Sequence, residues 1–396
     1  MGCDDVYIVA ACRTGIGALN GQFKDTPACV LGATVIKHCI DRAGLSPDDI
    51  SEIIMGQVLT AGQGQNPARQ ASVAADVPLT TPAYTINMLG GSSLKAIYLG
   101  YQSIRCNTDI KFVVCGGLEN MTMAQHSAYI RNAEKFDGIP LLDTMLTDGL
   151  TDALTGLQMG KVSECFSDSY KISRELQDRF ALSSHNKSAK SVQSNDFVHE
   201  IVPVYKDSDS LELTKDELVE TDVTLSQLSE MPVTFDGEFL KSGTVTDGNS
   251  SVNGDGAAAL VLCNEIQMEM MDLVPLARIV SFAQVGVAPD ELGVGIVKAM
   301  EKVLVFAGWT KSDVDLYEID EMFASQTLYV IKHLGININK VNVAGGSIAL
   351  GRPLGAHGAR LVVTLLHNLH RLGLNKGIAA AGVGGGMAIA IALLRS

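Results

Sequence analysis

The densest chemical pattern in the chain is Tyr84-Thr85-Ile86-Asn87-Met88-Leu89-Gly90-Gly91-Ser92-Ser93-Leu94-Lys95-Ala96-Ile97. An extended run meets a Gly-Gly-Ser-Ser turn and then a helix, because Leu94, Ile97, Tyr101 and Ile104 recur at helical spacing. A residue at such a corner sits in the positive field of the helix start, which lowers a thiol's pKa and stabilises anions. The corner therefore suits a nucleophile or a phosphate. The side chains it offers are the hydroxyls of Ser92 and Ser93, read as helix-cap or turn groups that accept from orphan backbone N–H donors. Eight cysteines stand at 3, 12, 29, 39, 106, 115, 165 and 263, with no C-x-x-C pair and no Cys/His cluster at ligand spacing. This favours reduced, mostly buried thiols over a disulfide framework or a zinc site.

The elements that must position this corner follow from periodicity. Val6–Ala11, Ile53–Val58 and Phe112–Val114 are strand-like, Cys29–Ala43 is a helix ended by Gly44, and Pro67–Ala75 is a second helix. Such alternation implies a mostly parallel sheet covered on both faces. From about 121 to 245 the rhythm lapses into an excursion with an acidic stretch (Lys206–Glu230) and one long amphipathic helix, Ser173 to Gln193. It returns at Gly254–Leu262 and continues through Ala277–Ala283, Leu316–Glu318 and the apolar Ile378–Leu394. The Gly384-Gly385-Gly386 break makes that last run two buried strands around a turn instead of a membrane span. Strand–turn–helix units in both halves fit an old duplication.

With 396 residues, 46% apolar, the chain can bury the core of two domains or one large duplicated one. A net charge of −14 argues against nucleic acid or an anionic membrane as partner, and it opposes a polyanionic ligand. The first strand begins almost at once, leaving no room for a signal peptide. Met1-Gly2-Cys3 starts like a myristoylation site, but Val6 stands where Ser or Thr is preferred and Asp4-Asp5 would repel a membrane, so the match is read as chance.

The corner resembles the nucleophile corner of the thiolase family, which reads Asn-x-x-Cys-Gly-Ser-Gly-Leu-(Lys/Arg)-Ala. Further ordered matches are Val9–Thr14, Gln65–Gln70, Gly116–Met121, Gly345–Gly351 and Gly384–Met387, so the resemblance spans the chain. It implies an α/β fold, a five-layered αβαβα sandwich of two similar βαβαβαββ halves with an inserted loop domain. The halves are expected at 1–120 plus 246–270 and at 271–396, with the loop domain at 121–245.

By motif, the family's nucleophilic cysteine falls on Gly90 and its acid/base cysteine on Gly382. Its Asn-Glu-Ala-Phe motif falls on Asp320-Glu321-Met322-Phe323, and its Gly-His-Pro motif on Gly351-Arg352-Pro353. Glycine can neither form a thioester nor shuttle a proton, and a guanidinium is never a general base. A carboxylate at 320 repels the oxyanion that this position should stabilise. Asp320 and Arg352 should face each other, and neither buried charge is tolerable alone, so a direct ion pair is expected. His357 is read as a surface or packing residue, with reach into the cavity as the alternative. Leu150, Met159, Ser251 and Phe323 match positions lining the family's pantetheine tunnel. Gln158, Asp247, Val252 and Glu220 would narrow it or make it more acidic.

The resemblance thus implies a thiolase-fold protein with no intact catalytic set, serving a structural, assembly or acyl-CoA-sensing role. No cofactor is required, and coenzyme A or acyl-CoA is a weak ligand. The alternatives are a working thiolase acting on acetoacetyl-CoA, or a different acyl-CoA reaction such as hydrolysis. A cytoplasmic homo-oligomer is expected, a dimer or a tetramer, with other proteins as possible partners.

Overall fold

The computed structural model describes residues 5–131, 138–205, 211–235 and 243–396. The Met1-Gly2-Cys3 start and the opening of the acidic stretch at 206–210 lie outside the described residues. The first half runs β1 (Val6–Thr14), α1 (Ala28–Arg42), β2 (Ile50–Gly56), α2 (Pro67–Ala74), β3 (Ala83–Ile86), α3 (Ser92–Cys106) and β4 (Phe112–Glu119). The excursion carries α4 (Met159–Ser169) and α5 (Arg174–Gln193), after which β5 (Gly254–Asn264) closes the half. The second half is β6 (Ala277–Gly286), α6 (Leu292–Ala307), β7 (Leu316–Ile319), α7 (Ala324–Leu334), α8 (His357–Leu372), β8 (Lys376–Val383) and β9 (Met387–Arg395).

The strands follow one path, β7-β8-β9-β6-β1-β5-β4-β2-β3, with β1 and β6 joining the halves through Tyr7–Arg278 and Ile8–Ala277. In its own numbering each half has the same order. The place of β3 is taken in the second half by a single parallel bridge, Tyr317–Val341. The sheet is mixed, which corrects the expectation of a mostly parallel one. Along this path the crossover neighbours β2/β3, β2/β4 and β7/β8 run parallel, and Ile201–Val202 adds a short parallel pair at the end of β1. Strand β9 returns from β8 through a tight turn and β5 returns after the long excursion, and both run antiparallel to their neighbours, β5 to β1 and β4 and β9 to β6 and β8.

Three apolar cores separate five layers. Helices α1 and α2 cover one face of the first half-sheet, including Leu31, Val35 and Ala71 against Val114 and Val261. Helices α6 and α7 cover the far face of the second half-sheet. Between the two sheets, α3 and α8 share a core of Leu94, Ile97, Val362 and Leu366 with strand residues from both halves. The strands are buried on both faces, which is why they read as unbroken apolar runs instead of alternating ones.

The centre is tied together by close backbone approach and buried charge. A Cβ at Gly117 in β4 would lie 2.2 Å from the carbonyl oxygen of Gly355, so only glycine lets the segment before α8 rest on that strand. Glu119, at the end of β4, accepts from the amides of Val58, Leu59 and Gly355 at 3.0, 3.2 and 2.8 Å. Burial pushes its carboxyl up to about 7 against the pull of those three donors.

Arg13 leaves β1 fully buried and meets Glu200 at 2.6 Å and Asp216 at 2.6 and 2.8 Å. It thereby fixes the returning excursion to the sheet. Replacing it by Met strands two buried carboxylates, so Arg13→Met should lower stability by about 3–5 kcal/mol. Denaturant midpoints measured with unchanged slope check this; a loss below about 1 kcal/mol would show the cluster to be hydrated in solution.

Candidate active site

The corner between β3 and α3 is strained and clamped. Leu89 holds φ at 47°, a left-handed conformation uncommon for a side chain of its size. Asn87 Oδ1 accepts from the Leu89 amide at 2.9 Å. Ser92 Oγ accepts from the Met88 amide at 2.8 Å and donates to the Leu89 carbonyl at 2.6 Å. Ser93 Oγ accepts from the amide of Ala359 at 2.8 Å and so pins α8 to the corner. Neither hydroxyl caps α3, contrary to the sequence reading. Ser92 is already inside the helix and its hydroxyl serves the turn behind it, while Ser93 points across to α8.

Arg352 reaches the corner from the opposite half. The short helix Ser347–Leu350 ends at Gly351, whose φ of 94° turns the chain, and the Arg352 amide donates to the Val252 carbonyl at 2.8 Å. Its guanidinium then lies over Gly90. A Cβ built on Gly90 would sit 2.3 Å from Arg352 Nη2 and 3.0 Å from Cζ. The space a side chain at 90 needs is filled by arginine.

The ion pair expected between Asp320 and Arg352 is present. Arg352 Nε donates to Asp320 Oδ1 at 3.0 Å and Nη2 to Oδ2 at 2.7 Å, with both residues buried. Asp320 extends β7, its amide donating to the Ala380 carbonyl at 2.9 Å, while Thr327 Oγ1 bonds its carbonyl at 2.9 Å. Burial alone would raise the Asp320 pKa, but Arg352 and His357 together hold it well below the usual carboxylate range. Glu321, the next residue, faces away and binds Ser184 Oγ and Asn342 Nδ2, each at 2.7 Å. It braces loops and offers no reactive group to the corner. A Cβ on Gly382 would stand 3.8 Å from Asp320 Oδ2 and 3.3 Å from Ile296 Cδ1, so that position faces the same pair.

His357 corrects its sequence reading: it is a buried member of the site. Its Nε2 lies 2.9 Å from Asp320 Oδ1. Burial and the neighbouring arginines outweigh Asp320 and push its pKa down to about 4, so it is neutral near pH 7, with Nε2–H donating to the carboxylate. Nδ1 is buried without a partner. Its place five residues after Arg352 keeps it near the pair along the chain, but no local feature of the sequence turns it toward Asp320. Ser347 Oγ also approaches Nε2, at 3.5 Å, and is bonded by Arg360. Serine and carboxylate share one ring nitrogen, so the three do not form a Ser-His-Asp relay, which needs one partner on each nitrogen.

Leu150, Met159, Ser251 and Phe323 converge on one cavity of about 200 Å³ with Arg352 in its wall. Gln158 and Asp247 line it too, and the sequence did not single out Met322, Leu354 or Asn253. An adjoining cavity of about 350 Å³ shares Met159, Met322, Arg352 and Leu354 with it and runs along Leu89, Gly90 and the Gly384-Gly385 turn. There Asp152 Oδ2 accepts from the Gly385 amide at 2.9 Å, joining the excursion to the C-terminal hairpin. Glu220 and Val252 line neither cavity; Glu220 is exposed near His185. Cys115 is buried in β4, where burial raises its thiol pKa well above the ordinary value.

Two measurements check this geometry. Arg352→Met leaves a buried carboxylate and should cost about 3 kcal/mol or more, whereas Arg352→Met with Asp320→Leu should cost far less than the two single changes summed. Additive costs would mean the two side chains do not interact. The second concerns His357, whose pKa in the fold, about 4, lies below its ordinary 6.5. On acidification the unfolded chain takes up this proton first, so the group's stabilisation is complete above about pH 6.5 and is lost progressively toward about pH 4. Over that window the parent protein should lose on the order of 3 kcal/mol more than His357→Gln. Parallel pH–stability curves would place the imidazole in water.

Residues 6–266 match the family described as thiolase, N-terminal domain, and residues 273–395 that described as thiolase, C-terminal domain. The chain is 44% identical over 398 residues to the cytosolic acetyl-CoA acetyltransferase of Rattus norvegicus, covering 100% of this chain and 99% of that one. It is 45% identical to the acetyl-CoA acetyltransferase of Chromobacterium violaceum, over 99% of this chain and all of that one. The crystal structure of the Bacillus anthracis acetyl-CoA acetyltransferase superposes with a TM-score of 0.95 at 35% identity, covering 100% and 99% of the two chains. With both domains matched in order and relatives similar from end to end, the chain belongs to the thiolase family.

Proposed function

We propose that this protein keeps the thiolase scaffold and its ligand cavity without running the thiolase reaction, in an acyl-CoA-sensing, structural or assembly role. One observation carries the reading: the guanidinium of Arg352, held by Asp320, occupies the space beside Gly90 where an acyl-accepting side chain would stand. Acyl transfer by the family's route needs a nucleophile at that corner and a base to activate it. The nearby hydroxyls of Ser92 and Ser93 are spent on backbone groups, and the imidazole of His357 is turned to Asp320. Coenzyme A or an acyl-CoA is a weak ligand on this reading, since Asp247 adds negative charge to the cavity wall. The protein is a cytoplasmic homo-oligomer here. Tyr129 and Leu141, both largely exposed on the excursion, are the kind of surface that a second copy would cover. No described helix is long and apolar enough to cross a membrane.

A second reading, a working acetyl-CoA acetyltransferase, is favoured by the names and end-to-end similarity of the relatives. It requires a thiol or hydroxyl from elsewhere in the chain to take up the acetyl group. Intact-mass measurement after incubation with acetyl-CoA separates the two. An unchanged mass is expected, and a stoichiometric acetyl adduct that free CoA removes would establish the second reading. Gly90→Cys alone should not produce turnover, because its Cβ collides with Arg352 and no base faces it; it should also cost about 1–3 kcal/mol. Thiolysis of acetoacetyl-CoA by that single variant would contradict the role given to Arg352.

A further inference from the structure

Arg352 has five N–H donors, and Asp320 takes two of them. Among the described residues no side chain or carbonyl accepts from the other three. The residue is only 4% exposed, and it lines both of the adjoining cavities. A buried guanidinium with three of its five donors free is an incomplete site, because each such donor must be satisfied by something the cavity admits. Resting on the reading above, in which no acyl group is taken from a thioester here, we propose that the cavity binds a short-chain carboxylate. Its two oxygens accept from the free N–H groups of Arg352.

Three features favour this class. A carboxylate presents two acceptors to donors in a planar fork, whereas a ketone or amide oxygen presents one. The walls next to the guanidinium are Leu150, Met159, Met322, Phe323 and Leu354, which suit a hydrocarbon tail. About 200 Å³ of space limits that tail to a few carbons. The polar liner Asn253, joined to Arg352 by a backbone bridge, makes no side-chain bond within the described protein and is free to donate to a bound oxygen. Asp247 also lines the cavity, with its Oδ1 held by Thr234 Oγ1 at 3.0 Å. Its charge opposes a second anionic group on the ligand and so selects a monoacid over a diacid.

Calorimetric titration of the full-length protein with butyrate, butyramide and succinate tests the assignment. Butyrate should bind with a dissociation constant of about 1 mM or tighter, and butyramide and succinate at least tenfold more weakly. The double change Arg352→Met with Asp320→Leu removes both charges together and should abolish butyrate binding. Met159→Trp, which leaves the ion pair intact but fills the cavity, should weaken it at least tenfold. Thermal unfolding of each variant confirms that it is folded. Equal affinity for butyrate and butyramide, butyrate binding that survives the double change, or no binding to the parent protein would each overturn the proposal. No butyrate binding together with an unchanged intact mass after acetyl-CoA treatment would overturn the carboxylate assignment alone. A removable acetyl adduct would overturn the reading beneath it as well.

Discussion

A guanidinium and a carboxylate buried side by side constrain everything near them. Taking either charge out of water alone costs several kcal/mol, and only their bidentate contact offsets most of it. Arg352 and Asp320 come from two separate segments of the second half, the turn after Gly351 and the end of β7, so the pair fixes the distance between those segments. It also dictates what stands around it. The guanidinium lies where a Cβ on Gly90 would be, so a side chain there must displace it, and His357 is neutral because burial, with the neighbouring arginines, outweighs Asp320. These residues act as one unit, and a substitution at any of them is felt at the others.

The scaffold that presents the pair is held by different means. Five layers with continuous apolar strands supply the core, and a set of buried acids anchors the loops that converge on the corner. Glu119 grips the segment before α8, Glu321 the loop before the short helix and that helix's first turn, and Glu200 with Asp216 the returning excursion. Each accepts two or more hydrogen bonds, which is the condition for tolerating a buried carboxylate. The strained Leu89 persists for the same reason: Asn87 and Ser92 over-determine the turn.

Much of this was legible in the sequence. Unbroken apolar runs mark β1, β4 and β5, and the amphipathic run from Ser173 to Gln193 marks α5, although Ser173 proves to be its cap, with its hydroxyl accepting from the Leu176 amide. The ion pair could be read because two opposite charges fell on motif positions that must face each other. What was misread depends on direction, which periodicity does not carry. Strand–helix alternation implies parallel pairing, but β9 is reached by a tight turn and β5 through the long excursion, and both pair antiparallel. Ser92 and Ser93 have the composition of caps, yet their hydroxyls serve the turn and α8. His357 was set aside since a lone histidine at a helix start is usually a surface residue, and nothing local shows that Asp320 lies 2.9 Å away.

The proposed loss of the thiolase reaction is tested most directly by the steady-state cleavage of acetoacetyl-CoA by the unmodified protein in the presence of free CoA. No loss of the diketo absorbance above the protein-free rate is expected at any protein concentration. A rate proportional to protein concentration, with two acetyl-CoA formed for each acetoacetyl-CoA consumed, would contradict it.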